Sequence, residues 1–475
     1  MLRALIKKEI RANVFSFRFA AVAALVLIVV PVAVLILTND AVKKVDEFSM
    51  RRSEVENYLK SYAHFNRLGG IVQPSQPPLP SYALVRGNSS DVNIEEFDDD
   101  PLPVMFPLLD LTFIVAILLS LAALIFSYDA VCGEKEDGTL KLMLSNGLPR
   151  AKILLGKVVG GAVTLLAPFV VALILGQFVI LLTPRLAWSG SDWAALGMLL
   201  VGAALYVFFF FVLGVFISAR HHSSSSSIMT SLCAWVVFVL VLPNLSPYLA
   251  SLVSPAPSRI KIGREASRLT DVDRDQLGQK LMADRLREFY KKYPALAENS
   301  FGAEAKARAE KDPAFKEALL ARTREVQSAW DEANRIQNAK ANALWDDLGR
   351  KEEAQMKLSK TISMISPAAD FSYLATDLTS TGLMNRKHFA ELDRLWSRAY
   401  GDYVKAKTSA LQKKDPLTDW WNSPVDVSDM PRFQYKEEAI GARIAGSLPA
   451  LGLLAGFGLL AFGAAFVSFV KYDVR

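Results

Sequence analysis

Long apolar runs separated by polar segments set the pattern of this chain. Residues 19–37, 108–126, 153–182, 194–218, 228–249 and 448–470 carry almost no charge, and each is long enough for a helix to cross a bilayer on the criterion of ~20 residues. The polar segments between them read as helix or turn, and no alternating strand pattern stands out. The pattern predicts an all-α polytopic membrane protein with about six transmembrane helices and a large, mainly helical extracytoplasmic domain between the fifth and sixth. The expected divisions are 1–38 (an interfacial helix and the first span), 39–107 (an outer loop), 108–254 (spans two to five), 255–440 (the helical domain) and 441–475 (the last span and terminus).

Ahead of the first span, Leu2, Leu5, Ile6 and Ile10 fall on one side of a helical wheel and Arg3, Lys7, Lys8 and Arg11 mostly on the other. Such a helix lies in the membrane interface. A cleaved signal peptide is the competing reading, but the apolar run exceeds an ordinary signal core, which favours an uncleaved span. The outer loop begins with a helix over 41–68 and passes through a Pro/Ser-rich stretch around 74–80. It ends in Glu95, Glu96, Asp98, Asp99 and Asp100, whose irregular spacing fits a solvated loop better than a cation site. Asp110 opens the second span, where interface hydration suffices for a carboxylate. Pro243, Asn244 and Pro247 predict a broken or re-entrant outer end for the fifth span.

Within 255–440, Asp312–Pro313 is a helix start, cap then first turn. Leu319, Val326, Trp330, Ala333, Ile336, Leu344 and Leu348 then form an apolar stripe of the kind that packs a core or hairpin seam. Asn385 is expected to cap a later helix carrying Leu395, Trp396, Tyr400 and Tyr403, and Pro424 and Pro431 mark the return linker. The Asp271–Asp275 run imitates a calcium loop, but Gln276 and Met282 stand where glycine and glutamate are required, so the motif fails.

The stretch 127–161, SYDAVCGEKEDGTLKLMLSNGLPRAKILLGKVVGG, is polar, glycine-punctuated and pinned between two spans, so it lies at a membrane face. It reads as turn–helix–turn. Gly138 breaks the helix leaving the membrane, Thr139 caps the next, and Leu140, Leu142, Met143 and Leu144 give that helix an apolar side. Asn146-Gly147-Leu148-Pro149 ends it. Gly156 and Gly160 supply a small-xxx-small face, equally suited to packing within the subunit and to dimerisation.

Tyr128-Asp129, Gly133-Glu134-Lys135-Glu136-Asp137-Gly138-Thr139-Leu140, Pro149-Arg150 and Gly156-Lys157 resemble the pattern of ABC-2 type permeases, the membrane subunits of a class of ATP-binding-cassette transporters. The likeness covers the membrane part and not the large segment before the last span. It implies that 134–145 is a coupling helix seated in a groove of a cytosolic ABC ATPase subunit, with Glu134, Glu136, Gly138, Thr139, Leu140, Leu144, Pro149 and Arg150 carrying the contact. Leu140 and Leu144 would fill the groove. It further implies that ATP and Mg are bound by the partner ATPase, with no cofactor in this chain, and that the permease pairs with a second copy or a homologue.

Composition narrows the alternatives. The 475 residues are 52% hydrophobic, with mean hydropathy +0.23, net charge +6 and pI near 9.0. The cations do not gather into a patch interleaved with aromatics, so nucleic acid is not the expected partner. They fit membrane-facing loops and membrane lipids instead. Two cysteines (Cys132, Cys233) and four histidines leave no disulfide framework and little material for a metal site. No phosphate-cradling G-x-x-x-x-G-K-[ST] and no H-E-x-x-H or G-x-S-x-G occurs, so the chain is not expected to be an enzyme itself. Lys135, Lys141, Arg150, Lys152, Arg220 and Lys471 share one side of the predicted topology with the basic N-terminus, against Arg185 alone in the short loop opposite. The positive-inside bias makes that side cytoplasmic, with both termini there, in the plasma (inner) membrane. The expected function is an ATP-driven permease that exports a substrate or does mechanical work on an extracytoplasmic protein partner. The alternative is a membrane-anchored sensor or scaffold whose helical outer domain binds a ligand or protein.

Overall fold

A computed structural model of the chain describes residues 2–64, 72–87, 109–145, 149–296, 308–309, 311–414 and 424–471. It is helical, with no β-strand among the described residues, and six of its helices are long and apolar enough to cross a membrane. The acidic cluster at 95–100 lies outside the described residues. The chain divides into two units: 1–244 with 363–412 and 418–475, and 245–362 with 413–417.

In the first unit, α1 (Leu2–Val14) turns at Ser16 into α2 (Phe17–Tyr62). The Ser16 hydroxyl accepts from the Phe19 amide at 3.1 Å and so caps the new helix. The first span and the helix expected separately over 41–68 are one continuous helix. Nothing between Leu37 and Ala41 breaks it, and Pro31 is accommodated inside it. The Pro/Ser-rich stretch has no regular structure over 72–79, as expected of a loop. It leads into the turn Pro80–Ala83, where Tyr82, Ala83, Leu84 and Val85 are buried in the main core. The Tyr82 hydroxyl, donating to Asp40 at 3.0 Å and accepting from Lys44 at 2.8 Å, ties this strap to α2.

The second span is entered at Asp110, whose carboxylate accepts from the Phe113 amide at 2.8 Å. It runs through a π-helical stretch, Ile114–Leu119, into α3 (Ser120–Ser127) and ends in the short α4 (Cys132–Glu136). After α5 (Thr139–Ser145) come α6 (Arg150–Leu181) and α7 (Gly190–Ser218), the latter closed at its start by a Ser189/Asp192 capping box. Tyr206, Phe210, Phe211 and Val215 of α7 are fully or almost fully buried, which makes α7 the centre of the bundle. The fifth span is α8 (Ser224–Trp235), a second π-helical stretch (Val236–Val241) and α9 (Leu242–Val253). The predicted break at Pro243 and Asn244 does not occur. The widened π turn precedes the proline ring, and the Asn244 amide donates to the Leu240 carbonyl at 2.8 Å.

The segment expected as one domain over 255–440 is divided. The second unit holds α10 (Arg259–Arg268), α11 (Arg274–Lys292) and most of α12 (Pro313–Ser363). Asp312 caps α12 as expected, accepting from the Ala314 and Phe315 amides. The following helix, α13 (Pro367–Leu378), belongs to the first unit, as do most of α14 (Leu383–Lys414) and α15 (Ile440–Lys471). α13 is short and almost wholly buried, with Phe371 and Leu374 at 0% exposure. Leu374 approaches α7 at Gly202 so closely that a Cβ there would lie 2.0 Å from it. Twelve residues are too few for a span, so hydropathy alone assigned α13 to the polar domain. Asn385 sits inside the first turn of α14 rather than capping it, and its side chain bonds Gln76 and Tyr435. The return linker is braced on α14, where Trp396 donates to the Pro431 carbonyl and Tyr403 to that of Asp426.

Truncating Phe371 to alanine should destabilise the chain by about 3–5 kcal/mol, the usual cost of removing a buried aromatic ring. Trp345→Ala, at a side chain 43% exposed, should cost much less. Thermal unfolding of both variants in detergent measures the difference.

Candidate functional site

The turn–helix–turn is held by backbone chemistry first. At the head of α4 the Val131 and Cys132 amides lack helical partners, and both donate to the Ser218 hydroxyl, at 3.0 and 3.1 Å. Gly138 then adopts φ +72° with nothing within 4 Å of a Cβ built on it. Glycine is required there by the left-handed backbone and not by lack of space. Thr139 does not cap α5 as expected. It is the first residue of that helix, and its hydroxyl donates back to the Glu134 carbonyl at 3.2 Å, closing the end of α4.

The two faces of α5 differ. Leu140 is 1% exposed and belongs to the main core, whereas Leu142 is 66% exposed. The expectation that Leu140 fills a partner's groove is corrected: the leucine fixes α5 to its own chain, and Leu142 is the apolar side chain presented outward. The side chain of Leu144 and residues 146–148 lie outside the described residues. Pro149 is exposed at the head of α6. Arg150 donates to the Phe469 carbonyl at 3.0 Å and to that of Val470, so its charge meets the negative end of α15.

Charge pairs lock the frame. Lys157, 4% exposed in α6, reaches Glu134 at 2.7 Å and Glu9 of α1 at 3.5 Å. Lys8 lies 3.6 Å from Glu134 and 3.7 Å from Glu9. The glycines Gly156 and Gly160 admit α1 to this meeting. A Cβ at the first would lie 3.0 Å from Leu5 Cβ, and at the second 2.8 Å from Glu9 Cβ. The small-xxx-small face therefore packs within the subunit. Arg18 pairs with Asp129 at 2.8 Å and stands over the Tyr128 ring. Glu136 accepts from the Ser224 amide and hydroxyl at the positive end of α8.

Sequence reasoning singled out Glu134, Glu136, Gly138 and Arg150 but missed Lys8 and Lys157 as partners of Glu134, and Glu9, Arg18 and Ser218 as further members of the frame. One signal was present. Lys157 is an ionisable residue inside an apolar run, and such a residue demands a counter-charge.

The match to known proteins covers this frame and everything around it. The family model described as "ABC-2 family transporter protein" aligns with residues 3–474. The chain belongs to the ABC-2 transporter family. It is similar to the probable ABC transporter permease protein NosY of Stutzerimonas stutzeri, 31% identical over 131 residues, and to that of Pseudomonas aeruginosa, 33% identical over 132. Each match covers 28% of this chain and 48% of the relative, so the chain spans about half the length of the curated relatives it matches. As an ABC-2 transporter family member with six helices long and apolar enough to cross a membrane among the described residues, the chain is a multi-pass membrane protein.

Glu134→Gln leaves Lys157 buried with half its neutralisation. Breaking one partner of such a pair should cost about 3–5 kcal/mol. Lys157→Met added to Glu134→Gln should recover part of the loss. Unfolding midpoints of the single and double variants test this, and a double variant as unstable as the sum of the singles would show that the two charges are not coupled.

Proposed function

We propose that this permease subunit couples ATP hydrolysis by a separate cytosolic ATPase to export of a substrate or to mechanical work on an extracytoplasmic partner. ATP and Mg belong to the ATPase in this reading. The observation that carries it is the two-faced helix α5, anchored inward by Leu140 and presenting Leu142 outward beyond the left-handed bend at Gly138. A partner pressing on α5 acts on a lever whose base, Glu134, is paired with Lys157 of α6 and stands near Lys8 of α1. In this role Gly138 and Thr139 set the bend, Glu134, Glu136 and Arg150 hold the frame, and Leu142 with Lys141 makes the contact. Leu144 and Pro149 belong to the same proposed contact.

The orientation follows from charge. α1, the turn–helix–turn, the 218–227 turn and the end of α15 meet at one end of the first unit through the bonds described above. This end carries Lys135, Lys141, Arg150, Lys152, Arg220 and Lys471, which supports a cytoplasmic placement. The second unit then faces outward. It has a core of its own around Phe289, Leu296, Phe315 and Leu319, as a module that receives an outer partner requires. Pairing with a second copy or a homologue completes the transporter.

Leu142→Asp should leave membrane levels unchanged and abolish co-purification of the ATPase, because an unpaired charge would enter an apolar contact. Gly138→Val should do the same through the backbone. Wild-type association and ATPase stimulation by Leu142→Asp would overturn the docking role of α5. Orientation is read separately. With Cys233 replaced by serine, an impermeant thiol reagent applied to intact cells should label Lys340→Cys and miss Lys141→Cys, and the reverse pattern would invert the topology.

A further inference from the structure

Where the fifth span ends, the chain carries both exposed apolar surface and exposed cations that make no ion pair among the described residues. Tyr248, Leu252 and Val253 of α9 are 72%, 79% and 73% exposed, the side chains expected to face lipid at a span's end. Five residues, 254–258, separate Val253 from α10. At ~3.5 Å per residue the head of α10 lies within about 20 Å of the last lipid-facing side chain. The rotation of α10 is fixed. Ile262 and Ala266 are buried, Gly263 lies against the Trp345 ring, and Arg259 makes a two-pronged pair with Glu352, at 2.7 Å for each bond.

That rotation turns Ile260, Lys261, Arg264 and Arg268 outward, where with Ser258 and Glu265 they line an open groove of about 580 Å³. Arg268 lies 3.6 Å from Asp273, and Arg259 is neutralised by Glu352. Lys261 and Arg264 make no ion pair among the described residues, and three positions apart they stand side by side on the helix. Ile260 beside them is 69% exposed. Two cations and an apolar side chain turned outward together, a few residues from a lipid-facing surface, match a ligand with a negative head and an apolar body.

We propose that this groove binds the phosphate head group of an anionic membrane phospholipid, with Lys261 and Arg264 donating to the phosphate and Ile260 against the glycerol and upper acyl chain. A soluble anion would use the two cations but leave Ile260 unused. An acidic peptide would have no need of the neighbouring span. The site is distinct from α5, and its occupation does not depend on whether an ATPase docks there.

The test uses the full chain in nanodiscs of phosphatidylcholine with and without phosphatidylglycerol, read by amide hydrogen exchange across α10 and by mass spectrometry of retained lipid. Phosphatidylglycerol should slow exchange over 259–268 in the wild type. Lys261→Gln with Arg264→Gln should abolish that slowing and weaken phosphatidylglycerol retention by about fivefold per cation, so roughly 25-fold in all. Both side chains are exposed, so the unfolding midpoint of the double variant should match the wild type and separates lost binding from lost fold. No effect of phosphatidylglycerol on the wild type overturns the proposal. So does a double variant that responds like the wild type. Protection reproduced by inorganic phosphate in pure phosphatidylcholine discs overturns it in favour of a soluble anion.

Discussion

A lysine ammonium enclosed among apolar helices is the constraint on which one end of this bundle depends. Removing such a charge from water costs several kcal/mol unless counter-charges come with it. Lys157 is met by Glu134 and Glu9, which arrive from two different elements. Each arrival imposes a further requirement. Glu9 can approach only if α6 is bare where α1 crosses it, and Gly156 and Gly160 provide that. Glu134 can approach only if the second span is prolonged past Ser127, and the Ser218 hydroxyl makes this possible by taking up the orphan amides that start α4. The amphipathic N-terminal helix, the turn–helix–turn and the third span are thereby tied at one buried point.

The interior of the spans follows the same accounting with hydroxyls in place of charges. Backbone groups in an apolar environment need partners, and a π-helical turn leaves carbonyls out of the ordinary ladder. The Ala116 carbonyl in the first π stretch accepts from Tyr206 at 2.8 Å and from Ser120 at 2.5 Å, and Trp235 in turn donates to Ser120. The Phe238 carbonyl in the second accepts from Ser366, the residue that caps α13. The buried short helix and the irregular span therefore explain one another. α13 needs a fixed cap, and the π turn offers an acceptor for it.

What could be read from the sequence follows from the range of each interaction. The spans, the bend at Gly138 and the cap at Asp312 depend on residues within a few positions of one another, and they stand where the sequence placed them. The strap at Tyr82–Val85 and the position of α13 depend on distant neighbours, since Ser81 bonds Thr379, 298 residues away, and Leu374 meets Gly202, while the burial of Leu140 depends on the core around it. Periodicity shows that α5 and α13 have apolar sides but does not name the surface that covers them. Leu140 and Leu142 are indistinguishable by hydropathy, and only the packed chain separates the one held inside from the one left outside. The continuity of α2 was missed for a related reason. Its polar half beyond Thr38 looks like the start of a loop until Asp40 and Lys44 are seen to hold Tyr82.

This separation of two leucines bears on how force would pass through the subunit. A helix attached only by its ends would yield when pressed and transmit little, since seven residues have scant stability of their own. α5 is held at its base by the Thr139 bond to α4 and along its inner side by Leu140. α4 is held in turn by Glu134 on Lys157 and by Glu136 on the head of α8. If a partner docks on α5 as proposed, a push on its outer side would reach the third and fifth spans directly, and α1 through the glycine face of α6. The buried ion pair serves this better than an apolar contact of equal area. In the proposed coupling its Coulomb attraction would resist sliding as well as separation, so that displacement of Glu134 would draw Lys157, and with it α6, in the same direction.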